Sequence, residues 1–86
     1  MHSVNKDRIF WKRFKNEIVI LNIDTDYYYT LDEVGSIIWN AIADNRTVEE
    51  AVASITAEFD IDKETVAKDA NGLIKRLEDE MLVKNV

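Results

Sequence analysis

Tyr27-Tyr28-Tyr29-Thr30-Leu31-Asp32 is the stretch on which the fold turns. Up to Leu31, β-branched and aromatic residues dominate; beyond Asp32, apolar residues recur at helical spacing. Alternation puts Tyr27, Tyr29 and Leu31 on one face and Tyr28 and Thr30 on the other. Leu31 leads straight into the helical region, so its face is expected to be the core face. No charge lies between Tyr27 and Leu31. A short uncharged edge of this kind can accept an extended peptide through main-chain hydrogen bonds.

Working backwards, Asp24-Thr25-Asp26 reads as a turn, because Asp and Thr side chains bond their own backbone there. Glu17–Ile23 is nearly continuous apolar sequence, which predicts a central strand covered on both faces. Lys15-Asn16 is a tight turn, and Arg8–Phe14 an aromatic-rich first strand. Turns this short make successive strands antiparallel neighbours.

Working forwards, Asp32 caps a helix whose apolar face is Val34, Ile37, Ile38, Ala41 and Ile42. Trp39 lies off that stripe and is expected in the core by residue type. Thr47-Val48-Glu49-Glu50 is a capping box, opening a helix with the face Val48, Ala51, Val52, Ile55 and Phe59. Asp62 caps a third, with the face Val66, Ala70, Leu73, Leu77 and Met81 and with Ile74 on one shoulder. Leu82-Val83 then packs back on the body. The expected fold class is α+β: a three-stranded antiparallel β-meander followed by three α-helices, winged helix-turn-helix-like.

Composition narrows the chemistry. Eighty-six residues make one domain, 1–86. Eleven Lys and Arg against seventeen Asp and Glu give a net charge of −6, which repels phosphate backbones and argues against nucleic acid. There is no cysteine, which excludes disulfides, thiolate nucleophiles and thiolate metal sites. The apolar runs are too short to span a membrane, and the polar start, Met1 to Arg8, does not read as a signal peptide; a cytoplasmic location is expected. The single histidine, His2, lies in a terminus expected to fray, which leaves a Ser-His-Asp triad without a rigid base. A calcium loop needs glycine at its sixth position and glutamate at its twelfth. Counted from Asp24 those places hold Tyr29 and Gly35, and from Asp60 they hold Thr65 and Asn71. Both acidic clusters therefore read as turn and cap carboxylates. No cofactor, metal or catalytic role is expected.

The run Tyr29-Thr30-Leu31-Asp32, then Gly35, Ile38-Trp39, Thr47-Val48-Glu49-Glu50, Phe59, Leu77 and Leu82-Val83 resembles the PqqD-like family. These are recognition elements for ribosomally made, post-translationally modified peptides, and the resemblance runs from about Arg8 to Val83. It implies a three-stranded sheet followed by three helices and no catalysis. The leader of a precursor peptide is expected to lie as an extra antiparallel strand on the third strand, in the groove between that strand and the third helix. The partners implied are that leader peptide and a separate maturation enzyme. A leader peptidase of the lasso-peptide type is favoured over the radical-SAM partner of a PqqD-type chaperone. The implied site is the Tyr27–Leu31 backbone, with side chains from Tyr28, Thr30, Asp69, Leu73 and Arg76, and with Tyr27 and Tyr29 walling a pocket. If the helix presents its other shoulder, Ala67, Ile74 and Met81 replace Asp69 and Arg76. A monomer or weak dimer is expected. The sequence departs from the family pattern at Asp44-Asn45-Arg46 and at Glu80-Met81, where glycine-containing turns are usual.

Two other readings compete. A winged-helix DNA-binding regulator fits the topology. The region Asp62 to Glu80, however, holds Asp62, Glu64, Asp69, Glu78, Asp79 and Glu80 against Lys63, Lys68, Lys75 and Arg76, the wrong balance for a recognition helix. A docking subunit would use the aromatic first strand, with Phe10, Trp11 and Phe14.

Overall fold

In the computed structural model, which describes residues 2–85, the elements run β1 (His2–Val4), β2 (Ile9–Phe14), β3 (Glu17–Asn22), β4 (Tyr28–Leu31), α1 (Glu33–Ala43), α2 (Val48–Phe59), α3 (Lys63–Asp79) and β5 (Val83–Asn85). β2, β3 and β4 form the expected antiparallel meander in that spatial order. The expected α+β class holds, with three helices after the sheet. The likeness to a winged helix-turn-helix is loose: α1 occupies the centre and packs on α2, α3 and the sheet, whereas α2 packs only on α1 and α3.

Three sequence expectations are corrected. The segment expected to fray is paired: β1 lies antiparallel to β5, matching Val4 with Val83, and both side chains are buried. His2 faces Glu78 there, Nε2 to Oε1 3.4 Å. Two three-residue strands are too short for periodicity to reveal. Second, β3 is covered on one face only; Ile18, Ile20 and Asn22 are buried, while Val19 and Leu21 are half-buried. Third, Ile74 belongs to the core with Val66, Ala70 and Leu77, Leu73 sits on the shoulder, and Met81 is outside the helix and 63% exposed. The first strand starts at Ile9 and the third at Tyr28, each one residue later than expected.

Trp39 is fully buried and meets Trp11 edge to face, ring centroids 5.6 Å apart, so it ties the sheet to the helices. Asp32 caps α1 by accepting from the Gly35 amide at 2.8 Å, and the capping box of Thr47 and Glu50 is present in full.

The two departures from the family's glycine pattern fall on helix ends. After α1, the Arg46 amide donates to the Ala41 carbonyl and that of Asn45 to Ile42; after α3, Leu82 donates to Leu77 and Met81 to Glu78. Both are Schellman closures, and their left-handed residues are Asn45 (φ 60°) and Met81 (φ 60°). Asparagine tolerates that conformation; a side chain like that of methionine costs about 1–2 kcal/mol there. Met81→Gly is therefore expected to raise stability by about 1 kcal/mol, read as a higher urea midpoint at unchanged m-value. An unchanged midpoint would show that the strain is relieved elsewhere.

Candidate functional site

β4 pairs with β3 on one side only. Opposite residues in an antiparallel pair alternate between exchanging hydrogen bonds and pointing them away. The Asn22 amide donates to the Tyr27 carbonyl at 2.9 Å, which sets the phase. Tyr29, opposite Ile20, and Leu31, opposite Ile18, therefore direct their amides and carbonyls at β3. Tyr28 and Thr30 direct theirs to the free edge. Two residues, not five, offer main chain to an incoming strand.

The free edge looks across at α3. No Cα of β4 lies within 8 Å of one in α3, so the gap is spanned by side chains alone. The stripe of α3 that faces it is Val66, Asp69, Leu73 and Arg76, at helical spacing, continued by Glu80 just past the helix end. Three cavities lie in line along this groove. The largest, about 420 Å³, opens between Leu31, Gly35, Ile61 and the Val66–Arg76 stripe. A narrow one of about 20 Å³ lies between Tyr29, Leu73 and Leu77. A third, about 270 Å³, lies beyond Tyr29 among Arg8, Tyr27 and Met81. Gly35 keeps the floor open: a Cβ there would stand 3.2 Å from Asp32 Oδ1, 3.4 Å from Leu31 Cβ and 3.5 Å from Leu73 Cδ2.

One hydrogen bond crosses the groove. The Tyr29 hydroxyl donates to Glu80 Oε2 at 2.8 Å and separates the narrow cavity from the third. That bond, then partial burial and the Glu80 charge, push the Tyr29 phenol above its ordinary 10.0, with Arg76 opposing. The folded chain thus holds this proton more tightly than the unfolded one. The contribution to stability is complete below the ordinary tyrosine value and is lost as pH rises through the folded value. In an alkaline titration at 295 nm, the difference between wild type and Tyr29→Phe is expected to show one phenol ionising late. A difference curve centred at the ordinary value would remove the Tyr29–Glu80 bond from solution.

Of the sequence-predicted residues, Thr30, Leu31, Asp69, Leu73 and Arg76 line one cavity. Tyr29 joins four of them, Thr30, Leu31, Leu73 and Arg76, in the narrow cavity, and Tyr27 and Tyr29 share the third. The Tyr28 side chain stands on the opposite face of the sheet, 70% exposed. Tyr27 lies in the turn before β4, its amide donating to Thr25 Oγ1 at 3.3 Å. The alternative shoulder does not face the groove as a unit: Ile74 lines a cavity with His2, Ile42 and Arg46 behind α3. Sequence reasoning missed Gly35, Ile61, Val66 and Glu80 as groove residues. Val66 and Glu80 extend the Asp69–Leu73–Arg76 stripe by one turn each way, a signal that was available; Ile61 sits in a loop and gave none. Among the described residues no three His, Asp or Glu side chains gather to hold a metal, and no helix is long and apolar enough to cross a membrane.

A β-meander with an unpaired last strand, set across a groove from the last of three helices, defines a small α+β module of a recognised kind. The chain belongs to the PqqD family: the family described as coenzyme PQQ synthesis protein D (PqqD) matches residues 17–83. Among solved structures it is similar to TbiB1 in complex with the TbiA(beta) leader peptide, with 30% identity, TM-score 0.88, and 98% of this chain and 96% of that one covered. It shares its fold with lasso peptide synthetase B1 complexed with the leader peptide, at 14% identity, TM-score 0.87 and 98% coverage of both chains. No curated protein sequence matches.

Proposed function

We propose that the protein binds the leader segment of a ribosomally made precursor peptide, of the lasso-peptide type, as an added strand on β4, and that it does so without catalysis. The observation that carries this reading is the free edge of β4, with Tyr28 and Thr30 main chain unpaired, facing an open groove in a fold whose solved neighbours hold leader peptides. The bound leader presents the rest of the precursor to a separate leader peptidase or other maturation enzyme. The protein acts as a single module in the cytoplasm, as a monomer or weak dimer. The groove offers main chain, an apolar floor and two charged side chains without a partner among the described residues, Asp69 and Arg76, which is an inventory for binding.

The family match favours one further reading, a PqqD-type chaperone whose partner is a radical-SAM enzyme. Both readings use the same groove and differ in the peptide. The deciding experiment is an amide-resolved NMR titration with the leader of the precursor encoded beside this protein. Shifts concentrated at Tyr28–Leu31 and on Val66, Asp69, Leu73 and Arg76 are expected. A flat spectrum with that peptide and with a PQQ-precursor peptide would refute leader binding and leave docking through the β2 aromatics as the reading to pursue.

A further inference from the structure

Two charges in the groove are uncommitted. Asp69 and Arg76 both line the 420 Å³ cavity, both are exposed, and among the described residues neither side chain has an ion-pair or hydrogen-bond partner. The other acids there are engaged: Asp32 holds the Gly35 amide and Glu80 the Tyr29 hydroxyl. With a net charge of −6, the chain as a whole repels acidic peptides, so acceptance of a carboxylate in the groove falls to Arg76.

The direction of the elements orders these charges. Asp69 shares a cavity with Leu31, Asp32 and Gly35, at the C-terminal end of β4; Glu80 reaches Tyr29, towards its start. α3 therefore runs opposite to β4. A strand added antiparallel to β4 runs with α3, its N-terminal end beside Asp69. Asp69 and Arg76 are separated by about 10.5 Å along the helix axis, at 1.5 Å per residue, with Leu73 between them. Alternate residues of a strand, about 6.8 Å apart, face the same wall. We propose that the groove selects a peptide strand with a basic side chain at position i against Asp69, an apolar one at i+2 against Leu73 and an acidic one at i+4 against Arg76. The i to i+4 span of about 13.5 Å exceeds the helix spacing by about 3 Å, which the long arginine stem covers. This rests on strand addition to β4 and adds to it a charge order and a chain direction.

A display library of randomised dodecamers, selected in parallel on wild type, Asp69→Lys and Arg76→Glu, tests it. Both substitutions are at exposed positions and leave the core intact. Wild type is expected to enrich basic-x-apolar-x-acidic, Arg76→Glu to exchange the acid for a base, and Asp69→Lys to exchange the base for an acid. Reversing one charge in a wild-type binder is expected to weaken it by about three- to tenfold, and the matching protein reversal to restore it. The same charge preference on all three proteins overturns the proposal but leaves strand addition standing. Enrichment in the opposite order overturns the chain direction. Binders that hold equally well to Tyr28→Pro, or a library that yields none, overturn strand addition and this proposal with it.

Discussion

Proline at position 28 or 30 is expected to weaken leader binding by about 100-fold or more while leaving a folded protein. The Tyr28 and Thr30 amides point away from β3, so proline removes a donor that only the incoming strand uses. The bound peptide then keeps a desolvated carbonyl without a partner, a loss of about 1–3 kcal/mol, and the pyrrolidine ring stands where its backbone must pass. For Thr30→Pro the preceding residue, Tyr29, is already in the strand, so the restriction that proline imposes there is met. Tyr29→Pro is the contrast. Its amide faces Ile20 inside the sheet, and losing it breaks the ladder. Circular dichroism and calorimetric titration are expected to report Tyr28→Pro and Thr30→Pro as folded and non-binding, and Tyr29→Pro as destabilised. A folded Tyr28→Pro or Thr30→Pro that still binds tightly would end the strand-addition mechanism.

Local rules carried the meander and the helix starts. The turns at Lys15-Asn16 and Asp24–Asp26, the caps at Asp32, Thr47 and Asp62, and the alternation of Tyr29 and Leu31 against Tyr28 and Thr30 all depend on neighbours within four residues. The pairing of β1 with β5 depends on residues about eighty positions apart and left no local trace beyond Val4 and Val83. The continuous apolar run Ile18–Leu21 looked like a strand covered twice; in the fold its second face, with Phe10 and Tyr28 beside it, stays open. Apolar sequence states what a residue tolerates and leaves open which face is covered.

The end of α3 taught a sharper lesson. The stripe Val66, Ala70, Leu77, with Leu73 and Met81 added, fits a period of 3.5 to 4, and so does Val66, Ala70, Ile74, Leu77. One sequence supports both stripes, which share Val66, Ala70 and Leu77 and differ at Leu73 and Ile74, about 100° apart on the helix. Packing on α1 and α2 selected the second and turned Leu73 out of the core towards β4. Met81 fell outside the helix because Leu82 donates back to Leu77 and closes it. The groove owes its wall to that choice: with Ile74 in the core, Leu73 is left to face β4 and line the cavities.

Leu73 and Ile74 are therefore expected to separate binding from stability, although they are adjacent and both aliphatic. Ile74 is buried with Val66, Ala70 and Leu77, and Ile74→Ala is expected to cost about 2–5 kcal/mol of stability through the cavity it leaves. The folded fraction keeps its groove, so peptide affinity measured well below the melting temperature stays within about twofold, a small change beside the roughly 1.4 kcal/mol that a factor of ten requires. Leu73 is half-buried and lines both the large and the narrow groove cavities. Leu73→Ala gives up less core and is expected to lower stability by about 1 kcal/mol. It also removes the apolar wall against which a peptide side chain is buried, and that loss of about 1.5 kcal/mol corresponds to roughly tenfold in affinity. Urea melts and peptide titrations of the two variants are thus expected to cross, Ile74→Ala unstable and binding, Leu73→Ala stable and weak. Parallel losses in both would mean that α3 moves as a unit when the groove is filled, and that the wall seen in the free protein is not the one the peptide meets.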